Sequence, residues 1–528
     1  MQSGERILFA TDAETGTIEA HVMITYSGDA DDFAWVVPVV SLPELDVGSN
    51  EAFVQLELAT MPYFTVAWSE QGSCDYGYYY GEDDLDGAPE AAGGGVKVAY
   101  RGEVGPYDAA VLDSDSASAL LDWLREHDYH LTDAMEEIIQ TYVDQDQLFV
   151  ALRLLSDQSV GDIQPIVLRF EEGSPCIPLR LTAIAAVSDM PVRAWVLGEA
   201  RSIPQNYLHV QINWAAIDWL NYGCNADYTY CGIGYNYPEI VAQAADEAGG
   251  NAFTTEYAGT TDVMDARLWW DDRYQVDALR ALDDPGEFMN ALIGQGWPAS
   301  GQLLAVLRRH MPLPEALVED GVSEQSFYNC VECYEEYIDY TFDAVATADE
   351  LEATIAAPME AAQALFDAHA YLTRLTTFIS PEEMTIDPIF AQNADLPDVS
   401  NVHAAQATLV CGAGGAWGQS AIVVTLPDGR QVVVLPSEYG GYEWPTGEPA
   451  AAVVEQLEAE GFGKVLVDNV GEPAEASLIP PEDFEDEAES ESDGGCSVGG
   501  ARGAAPLPSA LMLLALGWLR ARRRRATR

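Results

Sequence analysis

The sequence predicts an α+β protein built in several units. A β-rich N-terminal part carries segregated helices, a small hairpin-containing α/β unit lies near the C-terminus, and one short apolar helix closes the chain. Three observations predict this. Apolar and polar residues alternate at period two in the first 40 residues, which is the strand signature. Helical spacing is confined to separate blocks, at 116–142, 237–248, 285–310 and 348–378, instead of following every strand. A chain of 528 residues, 48% hydrophobic and 10% aromatic, can bury about two to four cores and is too apolar for global disorder.

Residues 1–403 form the long first region. Ile18, Ala20, Val22 and Ile24 alternate with polar neighbours. The run Phe33-Ala34-Trp35-Val36-Val37-Pro38-Val39-Val40 is bounded by acids and proline and fits a buried strand. Residues 72–95 hold Tyr, Asp and Gly without periodicity and read as a long surface loop. Leu120, Leu121, Leu124, Met135, Ile138 and Ile139 take helical spacing. Strands are expected at 147–155, 163–170, 179–187 and 192–197. The longest helical pattern runs from Leu351 through Phe378, with a kink at Pro358.

Residues 407–470 are expected as a small α+β unit. Ile422–Leu426 and Gln431–Leu435 flank Pro427-Asp428-Gly429-Arg430, a hairpin with turn chemistry at its centre. A helix is expected over 448–460, then a strand at Val465-Leu466-Val467. Residues 471–495 include an acidic run with few apolar residues and read as a linker. Residues 496–528 are the tail.

Charge narrows the function. The chain carries 87 Asp and Glu against 24 Lys and Arg, and seven of those 24 are arginines after Cys496, where no acid occurs. The body repels nucleic acid and anionic lipid at long range, so a nucleic-acid role is excluded. The acidity reads first as a solvated surface suited to salt. Its sharper reading is divalent-cation binding at Asp29, Asp31 and Asp32, in the Glu82–Gly87 loop, or at Asp113 and Asp115; none has the spacing of a twelve-residue calcium loop.

The tail is the strongest signal. Gly494-Gly495-Cys496 is followed by an apolar stretch from Ala504 to Leu519 and by Arg520, Arg522, Arg523, Arg524, Arg525 and Arg528. The apolar stretch is shorter than the roughly 20 residues a comfortable crossing needs. The arginines put their own end on the cytoplasmic side and everything before Cys496 outside. A plain anchor helix gives the same sidedness but leaves Gly495 and Cys496 unexplained. These parts, in this order, resemble the myxobacterial C-terminal sorting tail, MYXO-CTERM. The resemblance implies that a sorting protease removes the helix and that Cys496 is retained as the lipid-bearing residue.

A second resemblance covers about residues 2–403. Gly4–Ala10, Asp32–Val39, Val104–Asp108, Ile177–Ala183, Ala200–Tyr207, Ala252–Tyr257 and Ser380–Pro388 resemble, in order, the motifs of the domain-of-unknown-function family 2330. This implies a secreted or surface protein and no assigned activity. Members usually carry a signal peptide and a cysteine-bearing segment ahead of the first motif. This chain starts almost inside that motif, so the resemblance implies a longer N-terminus, which would also supply the export signal that Met1–Arg6 does not show.

Eight cysteines are present: Cys74, Cys176, Cys224, Cys231, Cys330, Cys333, Cys411 and Cys496. In an oxidising compartment they read as disulfides. Cys224 with Cys231, and Cys330 with Cys333, are the candidate pairs. The Cys330-Val331-Glu332-Cys333 spacing also fits a redox pair, but acids surround it and raise thiol pKa values. Zinc would need a second ligand pair, and none has metal spacing. His127 and His130 read as helix-end residues. No nucleophile or phosphate-loop motif occurs, and carboxylates are too abundant for any pair to stand out. Catalytic, cofactor and metal residues are therefore assigned to none. The Tyr76, Tyr78, Tyr79 and Tyr80 cluster suits contact with an extracellular protein or glycan.

The leading expectation is an exported, surface-anchored, non-catalytic protein of envelope structure, adhesion or partner binding, reaching the membrane through its tail. The alternatives are an extracellular hydrolase with a carboxylate-based site and a calcium-stabilised adhesion module. A deep pocket lined by several shifted acids would favour the hydrolase.

Overall fold

The computed structural model describes residues 2–12, 15–26, 34–72, 100–114, 116–127, 129, 135–155, 162–171, 173–225, 230–411, 420–437 and 441–470. They belong to one compact unit, Met1–Leu478. Residues 471–528, and with them Gly495, Cys496, the acidic linker and the apolar tail, lie outside the described residues. The same holds for Asp29, Asp31, Asp32, Asp115, His130, the 82–87 loop and the Tyr76–Tyr80 cluster.

A ten-stranded mixed sheet is the backbone of the fold. From edge to edge it runs Lys464–Asp468, Ala451–Gln456, Leu208–Ile212, Ala252–Thr260, Tyr371–Ile379, Met190–Gly198, Gln2–Thr11, Ile18–Tyr26, Ile166–Phe170 and Glu44–Val47. Gln2–Thr11 is central, parallel to Met190–Gly198 and antiparallel to Ile18–Tyr26. Both of its faces are covered, which is why Ile7-Leu8-Phe9-Ala10 is a continuous apolar run. Leu8 and Ala10 enter one core and Ile7 and Phe9 another.

Helices cover the first face. Asn50–Thr60 starts at Ser49, whose hydroxyl accepts from the Ala52 amide at 3.3 Å. Pro285–Gly294 starts at Asp284, which accepts from the Glu287 amide at 2.8 Å. Together with the later helices to Ala368 they bury Trp195, Phe288, Phe327 and Phe366 against the sheet. On the opposite face lies a four-stranded sheet of Ala34–Val39, Leu148–Leu154, Tyr107–Leu112 and Tyr100–Val104. Its inner residues, among them Val37, Val39, Ala109 and Val150, meet Ile7 and Phe9. Its outer residues, among them Ala110 and Phe149, pack under Ala117–Glu126 and Met135–Val143. The order at this end is therefore helix, sheet, sheet, helix. His127 caps the Ala117–Glu126 helix and stacks on Trp123, as its place at a helix end predicts.

A second four-stranded sheet joins Tyr63–Gln71, Val402–Val410, Ala421–Thr425 and Gln431–Val434. The expected hairpin is present, with Ile422 opposite Val434. Residues of the 407–470 stretch share these sheets with Tyr63–Gln71 and Leu208–Ile212.

Three expected elements differ. Residues 448–460 are not a helix; Ala451–Gln456 is a strand, because pairing to Leu208–Ile212 overrides the helix preference of its alanines. The 348–378 pattern is helical only to Ala368, and Tyr371–Ile379 is a central strand. A strand buried on both faces has no amphipathic period to separate it from a helix. Residues 179–187 form a helical turn, Leu179–Thr182, instead of a strand. At the expected kink, a wide turn over Glu352–Ala356 precedes Pro358, which sits near the start of the next helical segment, where its missing amide hydrogen costs little.

Candidate functional site

The cysteines come first because they set the chemistry that is available. Cys224–Cys231 and Cys330–Cys333 are both disulfides, and Cys411 is also disulfide-bonded. Cys224 and Cys231 lie opposite each other on two short strands. Cys176 is a free thiol. No group of three metal-ligating side chains occurs among the described residues. Asp113 of the proposed cation positions is exposed at the surface.

Two buried polar networks lie in the sheet. Arg374 bridges Glu57, at 2.7 Å, and Glu256, with Thr376 donating to Glu256 at 2.6 Å. Its guanidinium lies over the Trp195 ring, 5.3 Å from the centroid. Burial raises the Glu57 carboxyl, but Arg374 and Arg193 outweigh that and hold it below its ordinary range. In the second network His209 contacts Glu455 at 2.9 Å through Nδ1 and Thr255 at 3.0 Å through Nε2. The order Thr, His, Glu has the form of a nucleophile triad. His209, Thr255 and Glu455 are only 4%, 9% and 7% exposed, and Arg201 also donates to the Thr255 hydroxyl. Such a closed arrangement cross-links strands; it offers a substrate no approach.

The third polar group faces a cavity. Glu5, Ile7 and Phe9 have the same parity on the central strand and project toward the small sheet. They share a cavity of about 80 Å³ with Trp35, Val37, Val39, Phe170, Cys176 and Pro178, among others. Its lining is mostly apolar, and among the described residues Glu5 is the one carboxyl in it. Glu5 is 1% exposed. Its Oε2 accepts from Gln2 Nε2 at 3.0 Å and from Thr182 Oγ1 at 3.2 Å. Among the described residues its Oε1 has no hydrogen-bond partner. Burial pushes the Glu5 carboxyl up to about 7; the Thr182 and Gln2 hydrogen bonds oppose this, and Asp387 adds to it.

Asp387 stands behind the cavity. It accepts from the Arg180 amide at 2.9 Å and from the Tyr142 hydroxyl at 2.8 Å. Burial raises its pKa, with those two partners acting in opposition. Part of Cys176 reaches solvent, yet the protein around its sulfur, and then Asp387, push the thiol up to about 12. A thiol held protonated in this way is a poor nucleophile. The cavity can therefore accept an apolar group; the Glu5 carboxyl lies in its wall and is itself almost wholly covered, so a ligand donor reaches Oε1 only with a small shift of that wall.

The sequence reading assigned no residue of this site. The available signal was an acid, Glu5, at the core-facing parity of a strand, two residues before Ile7 and four before Phe9.

Comparison with known proteins gives one match. A family model described as an uncharacterized protein conserved in bacteria (DUF2330) matches residues 4–391. That span contains every cavity residue named above. No curated protein and no solved structure matches the chain.

Proposed function

The chain belongs to the domain-of-unknown-function family 2330, and on that premise we propose that it is an exported, surface-anchored, non-catalytic protein that binds a small apolar molecule carrying a hydrogen-bond donor. The observation that carries the binding role is the Glu5 Oε1, unpartnered among the described residues, at the wall of a mostly apolar cavity. A buried acceptor without a donor costs about 1–3 kcal/mol, and a ligand amine or hydroxyl would recover it. A cavity of about 80 Å³ suits a short alkyl group; benzene fills an engineered cavity of about 150 Å³. Two disulfides and an acidic body support the exported location. The membrane is reached through the tail, with Gly495 and Cys496 as the processing and lipidation point and a sorting protease as partner.

The hydrolase reading has less support. It needs two carboxyls acting on one bound substrate. Glu5 and Asp387 both titrate above their ordinary range, but only Glu5 lines the cavity.

Melting curves with n-butylamine, n-butanol and n-butyrate test the ligand class. The amine and the alcohol raise Tm and butyrate does not, with the difference lost in Glu5→Gln. Equal effects of all three, or none of any, would refute the binding role. Intact mass from the native membrane fraction tests the anchoring: loss of the residues after Cys496 with an added lipid is expected, and an unmodified C-terminus overturns it.

A further inference from the structure

The outer edge of the ten-stranded sheet has an unusual sequence. Lys464–Asp468 is the terminal strand, and all five of its residues are exposed. Val465, Leu466 and Val467 are 54%, 47% and 45% exposed, and nearby Phe462 is 73% exposed. A strand that is apolar and exposed on both faces is a template for pairing with another chain.

Its charges are self-complementary. Laid antiparallel against a second copy and centred on Leu466, the strand sets Lys464 opposite Asp468 of the second copy at each end. Val465 then faces Val467, and Leu466 faces Leu466. Opposite-charge and β-branched cross-strand pairs both favour a sheet. Lys464 is one of only two lysines in the chain, the other being Lys97. We propose that this strand is a self-association edge, where a second copy of the chain extends the sheet across a two-fold axis. The strand lies outside the 4–391 span of the family match, so the inference is independent of the binding role of the cavity.

Two features bear against a tight complex. The ladder to Ala451–Gln456 skips Leu466, and a bulge with an edge lysine is also a device that discourages pairing. The strongly acidic body repels its copy once the two surfaces approach within the screening length of about 8 Å at physiological salt. A five-residue edge buries much less than a stable interface, so the dimer is weak and depends on concentration. Anchoring copies on one surface raises their effective concentration.

Sedimentation equilibrium of the full chain, from about 1 μM to about 1 mM at physiological salt, tests this. Wild type shows a dimer fraction that grows with concentration. Lys464→Glu sets acid against acid at both ends and weakens the dimer at least about tenfold. The double variant Lys464→Glu with Asp468→Lys exchanges the charges, keeps each pair opposite, and restores it. Asp468 also accepts from the Val470 amide, so the Tm of each variant is measured alongside. Leu466→Lys, at an exposed position, abolishes the dimer without that complication. A wild type that stays monomeric throughout overturns the proposal, and shows the edge to be guarded or covered by its own chain. A dimer indifferent to Lys464→Glu, or not restored by the double exchange, overturns it equally.

Discussion

Replacing Glu5 by Gln isolates the energetic cost of a carboxylate beside the cavity. In the folded chain the carboxyl titrates near 7, against an ordinary value of 4.5. The folded state therefore holds this proton more tightly than the unfolded state does. The stabilising contribution is complete below pH 4.5, is lost as pH rises toward 7, and stays lost above that. At about 1.36 kcal/mol per pH unit the loss comes to about 3 kcal/mol. Gln is neutral at every pH and close in shape, so Glu5→Gln lacks this loss. Urea unfolding of both proteins from pH 4 to pH 8 gives the difference directly, and the many other carboxylates cancel in it. The variant should match wild type near pH 4 and exceed it by about 3 kcal/mol at pH 8. A flat difference, or a variant that is less stable at pH 8, would mean that Glu5 is solvated or partnered in the folded protein. Glu5 would then not be the buried wall of an apolar cavity.

Three further outcomes are expected. Arg374→Met leaves Glu256 buried without its cation, while Glu57 keeps Arg193, and lowers stability by about 3–5 kcal/mol in urea unfolding; a loss under about 1 kcal/mol would show the network to be hydrated. The double substitution Cys224→Ala and Cys231→Ala opens a bridge with a sequence separation of 7 and costs about 2–3 kcal/mol, and reducing agent applied to wild type reproduces much of it; no change on either treatment contradicts a structural role. Cys176 reacts with iodoacetamide at pH 8 at least about 100-fold more slowly in the folded chain than after unfolding, because its thiol stays protonated; equal rates read by peptide mass would remove the argument against a nucleophilic role.

Legibility followed the range of the interactions. The hairpin at 422–435 was readable because turn chemistry and alternation are local. The two short disulfides were readable because 7 and 3 residues of separation leave their cysteines little choice of neighbour. Tyr371–Ile379 was not readable, because cores on both of its faces remove the period that marks a strand, and its pairing partner Met190–Gly198 lies far along the chain. Ala451–Gln456 was misread for a related reason: its alanines prefer helix, and only Leu208–Ile212 makes them a strand. In the candidate site, Glu5 was visible as an acid at core parity. Its missing donor was not visible, since that depends on where Gln2, Thr182 and Asp387 come to rest.

The sequence by itself determined the α+β class, the acidic body, the family and the cysteine pairs, because composition, motif order and short loops need no distant partner. The tertiary structure decided which charges are buried and which face is open. Arg374 gains Glu57 and Glu256 from strands and helices far along the chain, Glu5 meets an apolar cavity between two sheets, and Lys464–Asp468 is left at an edge. Burial is a property of the assembled layers, so a residue's charge is written in the sequence while its energetic cost is set by the fold.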